Sequence, residues 1–285
     1  MWFVKKEFIA FYEDEKYLLL TQIFKKNREI FKEKKEYDNK KDLEKYILEQ
    51  IDENPQTYIS TLTFTLNQGV IGSCGKQAYL EHEIDYDNVK SICLGKYSFY
   101  ISLFELQKIK KEFPFIDFIY SPFALIDYFA KERKNRFYVL IFEKNLILMG
   151  YENFIPIYGD IIETKEEEHE EVEEIEDIDL LDDIEDLSED IDEEIENVDE
   201  EAIEEKLDEI TSSGIEAKIL KFVQDSLKEY YDKYSSDFIE KIILLDTVGI
   251  DMETAKIIED EVLIECEYQK IDALEILNRM SRESL

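Results

Sequence analysis

The sequence predicts an α/β protein in which one structural unit occurs twice, and two observations carry this prediction. Residues 7–37 alternate apolar and polar side chains across two short polar breaks, which is typical of three antiparallel strands joined by hairpins. Residues 136–162 repeat that pattern, with short turns at residues 143–145 and 152–153. A helix and a further strand are expected after each meander, but in the second case only after a long acidic insert.

The first unit continues with recognisable elements. Within residues 39–54, Leu43, Ile47 and Ile51 lie on one apolar helical face, and Pro55 follows the end of the helix. Residues 57–66 return to the Thr-, Ile-, Tyr- and Phe-rich composition of a strand. A glycine-bearing stretch over residues 67–87 is expected to be irregular. Two strands then precede a helix over residues 103–112, a strand over 116–120 and a helix beginning at Pro122, where a missing N–H is tolerated.

The second unit resumes after the insert. Residues 214–236 are amphipathic, residues 238–246 form a short apolar strand, and a helix over 252–262 precedes a final strand over 263–269. Two halves of this kind predict an α/β, actin-like architecture of duplicated RNase H-like halves. The predicted division gives residues 1–132 to the first half with an inserted subdomain and 133–162 to the start of the second half. It gives residues 163–213 to the acidic insert and 214–285 to the rest of the second half.

The net charge of −36 is concentrated in one segment. Residues 163–209 contain 28 acidic and 2 basic residues, whereas the rest of the chain has a balance of only −10. This balance argues against direct nucleic-acid binding, which needs clustered lysine and arginine. No apolar run approaches the roughly 20 residues of a spanning helix. We therefore expect a cytoplasmic protein that reaches a membrane only through a partner.

The three cysteines are far apart and odd in number, which suggests neither a metal site nor a disulfide framework and favours a reducing compartment. His82 and His169 have no Cys or Asp at zinc-like spacing, so neither is assigned a metal or catalytic role.

The acidic insert carries apolar residues at spacings of three or four, so a helix drawn through it would have an apolar stripe. One interpretation is a disordered, solvating linker, because charges this dense repel one another. The other is a segment that folds when a basic or hydrophobic partner groove receives the stripe. Calcium binding is a weaker third option. The candidate partner-binding residues are Ile175, Ile178, Leu181, Ile184, Leu187, Ile191 and Ile195.

Two segments resemble a known group of proteins. Residues 97–129 include the helix start Pro122, Ala124 and Leu125, and residues 219–262 combine an amphipathic helix, a strand, a glycine turn and a helix. Together they resemble the actin-like PilM and GspL cytoplasmic-domain families of type IV pilus and type II secretion platforms. The resemblance implies a PilN-like inner-membrane partner and a connection to an assembly ATPase.

Three turns depart from the family pattern. PilM-like members have an Asp and glycines in a phosphate-binding turn between their first two strands. Here that turn, "YEDEK", contains Glu13 and Asp14 but no glycine, and the corresponding second turn, "FEKN", also lacks glycine. In the third turn, Asp246 is followed by the single Gly249 where the family has paired glycines for a purine. Asp246 could ligate a metal or position a water, but it is rather expected to cap the helix after the turn or to bond the amides of the turn itself.

These departures predict a degenerate nucleotide site, no catalytic residues, no metal and no cofactor, with ATP and magnesium as a remote alternative. The expected function is a non-catalytic cytoplasmic scaffold of a type IV pilus, type II secretion or DNA-uptake system. The first alternative is a nucleotide-binding ATPase of the same system. The second is an acidic adaptor that binds a basic partner through residues 163–209.

Overall fold

The computed structural model describes residues 5–164, 214–234 and 237–285. Its strands are β1 (Lys6–Glu13), β2 (Tyr17–Lys25), β3 (Arg28–Tyr37), β4 (Thr57–Leu62), β5 (Gln68–Ile71), β6 (Val89–Leu94), β7 (Tyr97–Ser102), β8 (Phe118–Tyr120), β9 (Arg136–Ile141), β10 (Asn145–Glu152), β11 (Ile155–Glu163), β12 (Lys241–Asp246) and β13 (Glu265–Lys270). Its helices are α1 (Lys40–Glu53), α2 (Lys76–Glu81), α3 (Leu103–Glu112), α4 (Pro122–Phe129), α5 (Gly214–Lys233), α6 (Glu253–Val262) and α7 (Ala273–Glu283).

Two five-stranded sheets have the same topology. The first has the order β3-β2-β1-β4-β8 and the second the order β11-β10-β9-β12-β13. In each sheet the first three strands form an antiparallel meander, and the last two run parallel to the first strand. This is the RNase H-like strand order, and its duplication in one chain confirms the predicted actin-like fold.

The alternation of side chains along β1 explains the layered core. Ile9 and Phe11 face α1, where they pack against Leu43, whereas Ala10 and Tyr12 face the other side of the first sheet. That second face packs on α4, α7 and the inner face of the second sheet, so one apolar layer joins the two halves. The outer face of the second sheet is covered by α5 and α6. Because both faces of the central strands are buried, β1 and β9 are nearly continuous apolar runs.

The C-terminal helix α7 was missed by the sequence analysis, which ended the chain with a strand. Asp272 caps this helix, because its Oδ1 accepts a hydrogen bond from Glu275 N at 3.2 Å. The helix crosses to the first sheet, where buried Asn278 donates from Nδ2 to the carbonyls of Phe8 at 3.3 Å and Leu20 at 3.2 Å. The end of the second half therefore holds the first half in place.

The inserted region corrects two expectations. The stretch after β4 is not wholly irregular, since it contains β5 and α2, and β5 joins β7 and β6 in a third sheet of order β5-β7-β6. Cys74 and Cys93 form a disulfide in this region, with Cα atoms 5.8 Å apart, so the prediction that the cysteines form no disulfide was wrong. The β6–β7 hairpin and β5 bring the two residues together, which their spacing of 19 residues in the sequence does not reveal.

Among the described residues, no helix is both long enough and apolar enough to cross a membrane. The acidic insert lies outside the described residues, apart from its first two residues, and the predicted division of the chain into four parts stays a prediction.

Candidate functional site

The three turns singled out from the sequence meet at one edge of the two sheets. The first turn follows β1, the second follows β9 and the third follows β12. Because β9 and β12 are parallel and adjacent, their turns lie side by side, and Thr247 of the third turn bonds Ile141 at the end of β9. The first turn approaches them from the other sheet. In a two-sheet fold of this kind, the carboxyl ends of the strands are where ligands bind.

Asp14 of the first turn reaches across to the second turn. Its Oδ2 accepts a hydrogen bond from Glu143 N at 3.0 Å, and its Oδ1 accepts one from Lys144 N at 2.8 Å. The side chain is almost completely buried, with an exposure of 2%. Two adjacent backbone N–H groups that converge on one anion form the kind of concavity that holds a phosphate oxygen. Here an internal carboxylate occupies it, and we call this pair of bonds the Asp14 latch.

Burial raises the pKa of Asp14 above its ordinary value, and the hydrogen bonds from the Lys144 and Glu143 amides offset part of this rise. The carboxylate is therefore held by good hydrogen-bond donors in an environment that opposes its charge. A second anion bound at the same amides would raise the electrostatic free energy further, because it would lie next to the Asp14 carboxylate.

The third turn is closed by Asp246, which is fully buried at the end of β12. Its Oδ1 accepts from Val248 N at 2.9 Å and Gly249 N at 2.8 Å, and its Oδ2 accepts from the Tyr268 hydroxyl at 2.6 Å. The hydrogen bond to Asp246 raises the pKa of Tyr268 to about 12. Asp246 thus bonds the turn's own amides, as expected from the sequence. Gly249 has a φ of 98°, which explains the glycine by backbone conformation without a ligand.

Aromatic rings fill the space beneath the turns. Phe142 packs edge-on against Tyr12, with ring centroids 5.2 Å apart, and against Phe64, with centroids 4.7 Å apart. Thr247 Oγ1 donates to the carbonyl of Ile141 at 2.7 Å, so the third turn is tied to the second sheet next to this cluster. Burial raises the pKa of Tyr12, which keeps its hydroxyl protonated between the two sheets. The cluster joins the three turns into one packed unit.

Two cavities border the turns of this site. One, of about 300 Å³, is lined by four carboxylates, those of Glu13, Asp14, Glu112 and Glu163, against the single cation Lys144. Such a lining repels the phosphate groups of a nucleotide. In the described part of the chain, no group of three or more His, Cys, Asp or Glu side chains is arranged to hold a metal ion that could compensate.

The second cavity, of about 430 Å³, borders the third turn and is lined by Tyr12, Thr247, Lys34, Lys270 and Asp272 among others. Lys34 is paired with Asp272. The residues present do not fit a nucleoside triphosphate with its magnesium ion, since Asp14 already occupies the amides that would receive a phosphate.

The structure thus brings Asp14, Asp246 and Gly249 into one site, with Glu13 at the rim of its acidic cavity. The seven apolar residues of the insert proposed as partner contacts, from Ile175 to Ile195, lie outside the described residues. Sequence reasoning missed the roles of Phe142 and of the Glu143 and Lys144 amides. Phe142, a large aromatic residue directly after β9, was the available signal.

Strand order and site together define an actin-like protein whose nucleotide turns bind one another. The chain belongs to the family described as Domain of unknown function (DUF8341), whose model matches residues 129–285, more than half of its length. Residues 3–127 match a second model, Domain of unknown function (DUF8569). No curated protein matches the sequence.

Several solved structures are similar to this chain. A Bacteroides thetaiotaomicron protein with an actin-like ATPase fold and unknown function is 9% identical with a TM-score of 0.49, covering 98% of this chain and 96% of that protein. The PilM-PilN type IV pilus biogenesis complex is 10% identical with a TM-score of 0.49, covering 94% and 89%. The cytoplasmic domain of EpsL, an inner-membrane component of the type II secretion system of Vibrio cholerae, is 8% identical with a TM-score of 0.43, covering 98% and 96%.

Proposed function

We propose that this protein is a non-catalytic actin-like scaffold of a type IV pilus, type II secretion or DNA-uptake system. The observation that carries the non-catalytic part is the Asp14 latch, in which a buried carboxylate accepts from Glu143 N and Lys144 N. A phosphate-binding turn works because its backbone N–H groups are free to receive an anion. Here they are satisfied within the chain, and the acidic lining of the neighbouring cavity opposes a phosphate further.

The choice of system rests on the sequence resemblance to PilM-like and GspL-like proteins. In this proposal a PilN-like inner-membrane platform protein docks on the actin-like fold, which connects it to the assembly ATPase. The chain acts in the cytoplasm and is held at the inner membrane by that partner. A scaffold needs a rigid surface of defined shape, and three turns that bond one another supply rigidity without a nucleotide.

Calorimetric titration with ATP and magnesium tests the non-catalytic part. We expect no heat of binding at micromolar nucleotide, both for the natural protein and in the presence of the partner tail. Micromolar binding would refute the proposal and favour the alternative of an actin-like ATPase. A second titration uses the Asp14→Ala variant with inorganic phosphate, because this change removes the internal anion and exposes the Glu143 and Lys144 amides.

A binding assay with the cytoplasmic tail of the platform protein tests the scaffold part. The natural protein is compared with a variant in which residues 165–213 are replaced by a short glycine-serine linker. The scaffold proposal expects equal capture of the tail by both proteins. Loss of capture in the linker variant would contradict it and would support the alternative of an acidic adaptor that acts through the insert.

A further inference from the structure

The outer edge of the first sheet is a long strand that, among the described residues, has a neighbour on one side only. In that part of the chain β3 pairs with β2 alone, and its side chains are mostly exposed. Phe31 retains 44% of its surface in contact with solvent. Such an edge offers a row of unpaired N–H and C=O groups to another strand.

A lysine-rich edge strand ordinarily resists pairing, and β3 also carries a bulge, because Ile30 is skipped in its register with β2. The bulge leaves residues 31–37, "FKEKKEY", as the regular part of the edge. In an antiparallel pair, two facing residues either both direct their N–H and C=O groups toward the partner strand or both direct them away from it. These two orientations alternate along a strand, so two residues of the same sequence can face each other only when an even number of positions separates them. When a strand pairs with a copy of itself, the two-fold axis must therefore pass through a residue.

Within residues 31–37, an axis at Lys34 gives the most complementary pairs, whereas an axis at Lys35 gives only the opposite-charge pair of Lys34 with Glu36. With the axis at Lys34, Glu33 faces Lys35 of the second copy, Lys32 faces Glu36, and Phe31 faces Tyr37. Each pair occurs twice, which gives four opposite-charge pairs and two aromatic pairs, the kinds of cross-strand pair that stabilise sheets. With the axis moved to Glu33, that residue would face itself and Lys32 would face Lys34. The sequence therefore favours one register and disfavours its neighbour.

The charges at the axis are already compensated within one chain. Lys34 is paired with Asp272, and Lys32 with Glu275, on the face covered by α7. This pairing reduces the repulsion between the two copies of Lys34. Glu36 is exposed, and a second copy would place it against Lys32 as a second acidic neighbour beside Glu275. Glu33 and Lys35 already form an ion pair of 3.0 Å within one chain, and each would gain a further opposite charge from the second copy.

Another outer strand makes a useful contrast. In β13 the one lysine is Lys270, and the acids are Glu265 and Glu267. A residue-centred axis cannot place Lys270 opposite either acid, because each is separated from it by an odd number of positions. The strand β6 contains no acid at all. Self-complementarity is thus a property of β3 and does not follow simply from exposure at a sheet edge.

We propose that a second copy of this chain pairs antiparallel along β3 with its two-fold axis at Lys34, so that two five-stranded sheets become one sheet of ten strands. Seven residues on each side form a small interface, so the dimer is a weak one that assembles at high protein concentration.

Light scattering coupled to size-exclusion chromatography of the full chain tests this proposal at physiological ionic strength. We expect the natural protein to shift from monomer toward dimer as its concentration rises to the submillimolar range. In the Glu33→Lys variant, the introduced lysine of each copy would face Lys35 of the other copy. In the Lys35→Glu variant, Glu33 of each copy would face the introduced glutamate of the other copy. Each variant should weaken association by roughly tenfold or more.

Mixing the two variants provides the decisive arm. In the mixed dimer both facing positions again carry opposite charges, so Glu33→Lys and Lys35→Glu should associate with each other although neither associates with itself. The doubly changed chain should dimerise as the natural protein does, which shows that each change alone did not act by unfolding. A natural protein that stays monomeric, single variants that dimerise normally, or a mixture that stays monomeric would each overturn the proposal.

Discussion

Replacing Asp14 by alanine removes the bond between the two halves at the candidate site. The change eliminates two charge-assisted hydrogen bonds, to Glu143 N and Lys144 N, each worth about 1.5–3 kcal/mol before desolvation is counted. Burial of the carboxylate offsets much of this, as its raised pKa shows. The amides left behind border a cavity of about 300 Å³ that water can enter, which limits the penalty of leaving them unpaired. We therefore expect Asp14→Ala to lower the free energy of unfolding by about 1–2 kcal/mol.

The pH dependence of this effect has a defined sign. The pKa of Asp14 is raised in the folded state, so the folded protein binds its proton more tightly than the unfolded chain does. The corresponding contribution to stability is present below the ordinary pKa of an aspartate and is lost as the pH rises through the folded value. The side chain of the Asp14→Asn variant cannot titrate. Relative to this variant, the natural protein should lose stability as the pH rises from the ordinary pKa of an aspartate to the raised pKa of Asp14, and the difference should be constant at higher pH.

Urea unfolding followed by far-ultraviolet circular dichroism measures these effects at several pH values. Glu15→Gln is the matched control, because it removes one negative charge from the same turn at an exposed position. It should change the midpoint little at any pH. If Asp14→Ala unfolds at the same urea concentration as the natural protein, or if Glu15→Gln has an equal effect, the Asp14 latch does not hold the two halves together.

Three further outcomes can be measured by the same method. Cys74→Ser opens the loop closed by the bond to Cys93, with a sequence separation of 19, and should cost about 3 kcal/mol under oxidising conditions and little in the presence of reductant. Asn278→Ala loses two donated hydrogen bonds and should cost about 1–2 kcal/mol, whereas Asn278→Asp, which places a carboxylate against two carbonyls, should cost more. Tyr151→Phe removes a buried hydroxyl that donates to Asp127 at 2.8 Å and should cost about 1 kcal/mol, measured against the exposed substitution Tyr234→Phe as a control.

The strand meanders and most helices could be predicted because their signals are local. The alternation along β1 and β9 reports which side chains face each layer, and α3 occupies the predicted residues 103–112 because its ends are marked by sequence. The helix α7 also has a local signal, an Asp272 cap with Glu275 three residues later, but the sequence analysis ended the second unit at the strand before it. The first half carries the same signal in a second form, because its last strand, β8, is likewise followed by a helix, α4.

The disulfide and the Asp14 latch could not be predicted because they depend on contacts between distant parts of the chain. Asp14 and Lys144 are 130 residues apart, and only the duplicated fold places their turns together. From the sequence, the acids of the first turn were expected to repel a phosphate. The structure shows a more specific arrangement, since one of those acids bonds the amides that a phosphate would need.

The same second turn also connects the site to the acidic insert. Thr164, the second residue of the insert and the last one described before residue 214, donates from its backbone N to Lys144 O at 2.7 Å and from its hydroxyl to Glu143 O. After the insert, Lys218 on α5 donates to the carbonyl of Thr164. Thr164 thus joins the second turn on one side and α5 on the other, and one of its two bonds to the turn reaches the Glu143 carbonyl, which shares a peptide group with the Lys144 N–H that holds Asp14. In the scaffold proposal, the points where the insert leaves and rejoins the described fold therefore lie beside the Asp14 latch.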